Sequence, residues 1–192
     1  MQSFFDLRLP KIKPWLIIGK GPSYEKLATY DLSRFYLFGL NHISLYHSLD
    51  ICHVIDLDVL EYVNFEKHAY IVMPWHPHKN FKVHEKNLSQ LGLHKKIPNL
   101  VWYNLSTWKH SHNIYSSKII RTKYFSAEAA FRLLIAAGIT SICSIGIDGG
   151  KEYAKTFKEF IPLTNGQKSF DCQFKEINKI ICETSNLNYH AL

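Results

Sequence analysis

Seven apolar runs punctuate this chain, and several of them are rich in β-branched residues: WLIIG (15–19), FYLFGLN (35–41), ICHVIDLD (51–58), AYIVMPW (69–75), LVWYNLS (100–106), SICSIGID (141–148) and LNYHAL (187–192). Near-continuous runs of this kind, without strict polar alternation, are expected of strands buried on both faces. Helical patterns fall between several of them. SAEAAFRLLIAAG is the clearest, with Ser126 placed to cap it, Glu128 at its positive end and Gly138 to stop it. DCQFKEINKIICETSN sets Phe174, Ile177 and Ile181 near one face, and SYEKLATY reads as a short helix capped by Ser23. Strands alternating with helices predict an α/β fold: one mostly parallel sheet with helices on both faces. The stretch 76–123, dense in His, Lys, Asn and Trp, gives no clear pattern.

With 192 residues, the chain fills one domain with a full core. No repeat or linker divides it, so residues 1–192 are read as a single Rossmann-like unit. Hydrophobic content of 46% and charged content of 20% exclude a disordered chain. The net charge of +7 favours anionic partners such as phosphates and nucleotides. The basic residues form no long block, and no zinc-finger spacing or RNP motif accompanies them, so no nucleic-acid partner is expected. Cys52, Cys143, Cys172 and Cys182 are scattered without a CxxC pair, which suits reduced thiols. No apolar run reaches the roughly 18 residues of a membrane span, and the first residues carry no signal-peptide pattern. A cytoplasmic location is the expectation, with peripheral membrane contact and homo-oligomerisation left open.

In open α/β sheets, ligands bind outside the carboxyl ends of the strands. Those ends carry Gly19-Lys20-Gly21-Pro22-Ser23, Asn41-His42, Asp56 and Asp58, Pro74-Trp75-His76-Pro77-His78, Asn104 with Ser106, and Gly146-Ile147-Asp148-Gly149-Gly150; Ser126 heads the strong helix. A whole rim of small and polar residues favours a ligand site. The first turn lacks the G-x-x-x-x-G-K-[ST] of a P-loop. It lacks a dinucleotide fingerprint as well, since Tyr24 stands where the third glycine belongs. What remains is a turn whose glycines let N–H groups approach an anion, with Pro22 to stiffen it and the Ser23 hydroxyl beside a helix start. A plain strand–helix connection is the competing reading.

Three segments in order, IIGKGPSYEKL, FGLNHISLY and SAEAAFRLLIAAGITSICSIGIDGGKEY, resemble the bacterial sialyltransferases of glycosyltransferase family 42 and the related MptE-like (DUF115) group. The resemblance implies a Rossmann-like domain that binds a cytidine nucleotide sugar and transfers the sugar to a cell-surface glycan without a metal. It implies that Gly21 and Ser23 lie against the donor phosphate or nucleotide, that Asn41 and Ser126 hold the donor, and that Gly146, Ile147 and Asp148 border cytidine and ribose. Tyr153 falls near a family tyrosine that assists the departing phosphate. The family has asparagine where this chain has Lys20, a residue able to neutralise phosphate charge. It also has a histidine base near the place where this chain has Gln167.

With that histidine missing, His76 and His78, just past a predicted strand end, become the candidates for general base. WHPHKN and KHSHN each hold His-x-His, but no carboxylate or cysteine at diagnostic spacing completes a metal site around His76, His78, His110 and His112. Asp56 and Asp58 suit a ribose hydrogen bond, or Mg²⁺ in an MptE-like diphosphokinase that uses ATP. A non-catalytic nucleotide- or glycan-binding protein is the third reading. Trp75, Trp102 and Trp108 are expected in the core or the cleft wall.

Overall fold

The computed structural model of the chain describes residues 1–79, 82–107, 118–124, 126–163 and 169–192. Gln167, Trp108, His110 and His112 lie outside these. Nine strands build one sheet: β1 (Gln2–Ser3), β2 (Trp15–Ile18), β3 (Tyr36–Leu40), β4 (Leu49–His53), β5 (His68–Pro74), β8 (Leu100–Thr107), β9 (Ile119–Thr122), β10 (Ser141–Ile145) and β11 (Asn188–Ala191). Between β5 and β8, β6 (His78–Lys79) and β7 (Lys82–Val83) form a separate antiparallel hairpin. The sheet order is β1-β8-β5-β4-β3-β2-β10-β11, with β9 also on β8, and every pairing in it is parallel. The α/β, mostly parallel architecture expected from the apolar runs is the observed one.

Alternation along each strand divides the core in two. Trp15, Ile17, Phe38, Ile51, Val72, Val101 and Tyr103 face one side, where α2 (Ser126–Ala136) and α3 (Asp171–Glu183) cover them. Leu16, Ile18, Cys52, Ile71, Met73 and Leu100 face the other. The second side is covered largely by 3₁₀ segments, Pro22–Thr29, Leu57–Tyr62 and Lys155–Leu163, with the short α1 (Leu93–Lys96) near the amino end of β8.

α2 begins at Ser126 itself and buries seven of its residues, and Gly138 just beyond it takes the left-handed φ of +76° expected of its stop. Glu128 serves the helix more deeply than as a dipole charge. It is fully buried, accepts the N–H groups of Lys123 and Tyr124 at 2.8 Å each, and pairs with Arg132 Nε at 2.9 Å. α3 buries Ile177 and Ile180, with Ile181 partly buried beside them.

Two expectations are corrected. The segment after β2 is a run of 3₁₀ turns over Pro22–Thr29, and Gly21 holds its N-cap position without a side-chain cap. Ser23 does not cap it, because its hydroxyl is occupied by the N–H of Gly146 at 2.7 Å. The third apolar run is also shorter as a strand than its 51–58 pattern, since β4 closes at His53 and Asp56 forms an isolated bridge to His78. Cys52 and Cys143 are buried thiols, and Cys172 and Cys182 are exposed ones. No helix among the described residues is long and apolar enough to cross a membrane.

Candidate functional site

From β2 the chain moves outward through β3, β4 and β5; from β10, on the other side of β2, it moves to β11. Strand order therefore reverses between β2 and β10, the position where parallel α/β sheets open a crevice. The two turns that leave these strands, Gly19–Ser23 and Gly146–Asp148, meet there.

They meet backbone to backbone. A β-carbon at Gly19 would stand 2.3 Å from the Gly146 carbonyl oxygen, and one at Gly146 would stand 2.2 Å from that of Gly19. Gly146 also has φ +70°. This close approach, with no ligand involved, is enough to require glycine at both positions. The N–H groups of the turn are used internally as well. Gly19 donates to Ile145 and Gly21 to Gly146, each at 2.8 Å, and Ser23 N–H donates to the Asp148 carboxylate at 2.8 Å. The anion that the turn cradles is the protein's own Asp148. These three N–H groups are committed, which corrects the expectation that they await a phosphate. Pro22 is exposed and Ile147 half-buried at the same junction.

Lys20 carries the free chemistry of this turn. Its carbonyl accepts the Ala154 N–H at 2.7 Å, which seats Tyr153 over its side chain: Nζ lies 4.4 Å from the Tyr153 ring centroid and 5.9 Å from that of Phe160. Nζ also lies 3.4 Å from His42 Nδ1. Burial pulls the Lys20 ammonium down to about 8, partly opposed by the negative charge of Asp56. Tyr153 stacks on Phe170 at 5.5 Å, and burial pushes its hydroxyl up to about 12, so it stays protonated as a donor.

His42 stands directly behind. Its ring stacks on Phe160 at 4.0 Å and 18° and lies 5.2 Å from Tyr62. Burial, followed by the charge of Lys20, drives it down to about 3, so it is neutral at physiological pH. An ammonium only donates, so His42 Nδ1 is the acceptor and Nε2 carries the hydrogen. That Nε2–H is buried, with no hydrogen-bond partner among the described residues.

Other predicted residues join from neighbouring strand ends. Asn41, at the end of β3, adopts φ 51°, and its Nδ2 donates to Ser126 Oγ at 3.2 Å, tying β3 to the head of α2. Its Oδ1 is buried and has no partner among the described residues. Asp56, past β4, is pushed up to about 6 by burial and by the nearby Asp58, against the pull of Lys20. His78 joins through its bridge to Asp56, donating its N–H to the Ile55 carbonyl at 2.8 Å. His76 is turned toward the hairpin, its Nδ1 donating to the His84 carbonyl at 3.2 Å. Trp75 and Trp102 pair at 5.0 Å against the second core. Among the described residues, no group of three or more His, Cys, Asp and Glu side chains is placed to hold a metal ion.

Four residues outside the predicted donor set belong to this rim. His42 follows Asn41 at a strand end, and Asn104 closes the apolar part of β8, so strand-end position is the signal that finds both. Asn104 is 1% exposed, and neither amide atom has a partner among the described residues. Buried His53 meets the Tyr103 hydroxyl at 2.8 Å beneath the rim. Phe160, the wall of the Lys20 pocket, carries no sequence signal of its role.

No protein-family model matches the chain, and no curated protein or solved structure is significantly similar to it.

Proposed function

We propose that this chain is a sugar transferase that takes a nucleotide-activated, CMP-sialic-acid-like donor at the β2–β10 junction and glycosylates a glycan acceptor. The observation that supports this reading is a cluster at one sheet rim: a buried cation, Lys20, against His42, whose Nε2 has no partner among the described residues, with Asn41 Oδ1 at the same strand end likewise buried without one. Buried polar atoms are nearly always paired, so such a set is what a polar ligand or ordered water would complete. The committed N–H groups change how the phosphate is held. Lys20 Nζ takes the place of the backbone cradle as its counter-charge, over the face of the Tyr153 ring.

In the transfer, an acceptor oxygen bonds to the anomeric carbon as the bond from that carbon to the phosphate oxygen breaks. Negative charge grows on the phosphate, and Lys20 and Tyr153 stabilise it. The acceptor proton needs a base. Asp56, at about 6 and within the electrostatic reach of Lys20, is a stronger candidate than His76, whose ring is tied to the hairpin, or His78, which is buried. One observation favours a second reading: Asp58 is close enough to raise Asp56, and paired carboxylates suit Mg²⁺ in an ATP-dependent diphosphokinase.

Thermal shifts separate the two. A rise in Tm with CMP or CDP in the presence of EDTA supports the transferase, whereas a rise with ATP only when Mg²⁺ is present supports the diphosphokinase. No rise with any nucleotide overturns both.

A further inference from the structure

A second concavity lies away from the rim. Among β9 and the carboxyl-terminal halves of α2 and α3, a groove of about 350 Å³ opens, at the lower end of the roughly 300–1,000 Å³ of small-molecule sites. Its wall is apolar and largely uncovered. Ile119 is 39% exposed, Ile135 is half-buried, Ala136 is exposed, and Ile180 is buried at the same wall. Ala136 contributes only a methyl group where a larger side chain would fill the space.

The polar side chains of the groove are engaged, with one exception. The Thr184 hydroxyl donates to the Ile180 carbonyl at 2.7 Å. Arg132 lies 2.9 Å from Glu128 and 3.6 Å from Glu176, and Glu183 lies 3.7 Å from Lys179. Arg121 is the exception: it is exposed and has no ion-pair partner among the described residues. Along β9 the exposed residues are Ile119 and Arg121, while Ile120 and Thr122 are buried. Strand alternation therefore sets an unpaired guanidinium on the same face as an exposed isoleucine.

We propose that this groove binds a small monoanionic amphiphile, a free aliphatic carboxylate of medium chain length. The carboxylate pairs with the planar fork of Arg121, and the chain covers Ile119, Ile135, Ala136 and Ile180. A bare phosphate would leave the apolar wall wet, and the chains of a bilayer lipid exceed the volume. Arg121 is solvated, so its pairing selects the sign of the charge and the orientation, while the apolar wall supplies most of the affinity. Glu183 opposes an anion weakly, because its side chain is 65% exposed and has Lys179 beside it. The groove shares no lining residue with the cluster around Lys20, so this site is independent of sugar transfer.

The test uses the full chain with labelled isoleucine methyl groups, octanoate as the probe, and NMR titration. The Ile119, Ile135 and Ile180 methyl signals are expected to move together and saturate, with a Kd of about 0.1–1 mM. Acetate, which has the charge without the chain, and octylamine, which has the chain with the opposite charge, should not reproduce those shifts. Arg121→Gln is expected to weaken octanoate about fivefold, and Arg121→Lys to restore part of that loss. Ala136→Trp should fill the groove and abolish binding, with circular dichroism to show that the variant is folded. If it is not folded, Ala136→Met takes its place and should weaken binding. Stationary methyl signals at about 10 mM octanoate would overturn the proposal. So would octylamine binding as tightly as octanoate, or an unchanged octanoate affinity in a folded Ala136 variant.

Discussion

Lys20 holds a charge where its surroundings oppose one. Burial lowers it to about 8, and Asp56 is the opposing influence that keeps it from falling further. A phosphate entering the pocket would supply the missing counter-charge, so its binding requires the protonated amine. Below about pH 8 that form is present, and above it the fraction falls tenfold for each unit. CMP affinity is therefore expected to be nearly flat from pH 6.5 to pH 7.5 and to drop about tenfold between pH 7 and pH 9, read by titration calorimetry. Lys20→Met should remove that dependence along with most of the affinity. A CMP affinity indifferent to pH would mean that Lys20 is not the phosphate's partner. At this scale the sequence marked Lys20 as the one charge between the glycines of the first turn, because position and charge are written there. The aromatic walls were not legible, since Phe160 reaches Lys20 from the far side of the β10–β11 connection.

At the scale of elements, the β2 and β10 turns behave as one unit. Each strand ends where a glycine lets its neighbour's backbone approach, and Ser23 and Asp148 lock the turns by two hydrogen bonds across the junction. Gly146→Ala meets both a left-handed φ and a carbonyl oxygen at 2.2 Å, which neither backbone can avoid. It is expected to cost more than about 3 kcal/mol, or a Tm loss of roughly 10 °C. Gly150→Ala, at φ +71° with nothing within 4 Å of the added carbon, should cost only about 1 kcal/mol. Equal losses at the two positions, measured by calorimetry, would show that strain and not backbone contact governs the junction. The glycines themselves were plain in the sequence, but their purpose was not. Motif rules read them as ligand-facing, whereas the register of β2 on β10 turns them toward each other.

Across the whole molecule, histidines are buried where they must remain neutral. His42 and His53 are both driven down to about 3, and His47 and His68 are lowered as well, each chiefly by burial. Unfolded, each titrates near its ordinary 6.5. Between about pH 6.5 and pH 3 the unfolded chain therefore binds more protons than the folded one, and stability falls as pH falls. His42 and His53 each cost about 1.4 kcal/mol per pH unit across that window. Asp56 works in the opposite sense: raised to about 6, it relieves the fold as acid protonates it. Two fully shifted histidines outweigh one carboxyl, so acid unfolding is expected between about pH 3 and pH 4, seen by circular dichroism, since domains hold only about 5–15 kcal/mol in total. His42→Phe, which keeps the stack on Phe160, should move the midpoint to lower pH. An unchanged midpoint would rule out burial of His42 as a source of acid lability.

The apolar runs by themselves determined a buried parallel sheet, the α2 signature, and the placing of small and polar residues at strand ends, because hydrophobic period and glycine position are local properties. The tertiary structure decided what local pattern cannot encode. It put β10 beside β2 and so located the reversal of strand order. It spent the turn's N–H groups on Ile145, Gly146 and Asp148, and it enclosed Lys20 between His42, Tyr153 and Phe160. Each of these depends on residues far apart in the chain meeting at one edge. The physical reason is that hydrogen-bond commitment and desolvation belong to the packed rim, not to any segment that contributes to it.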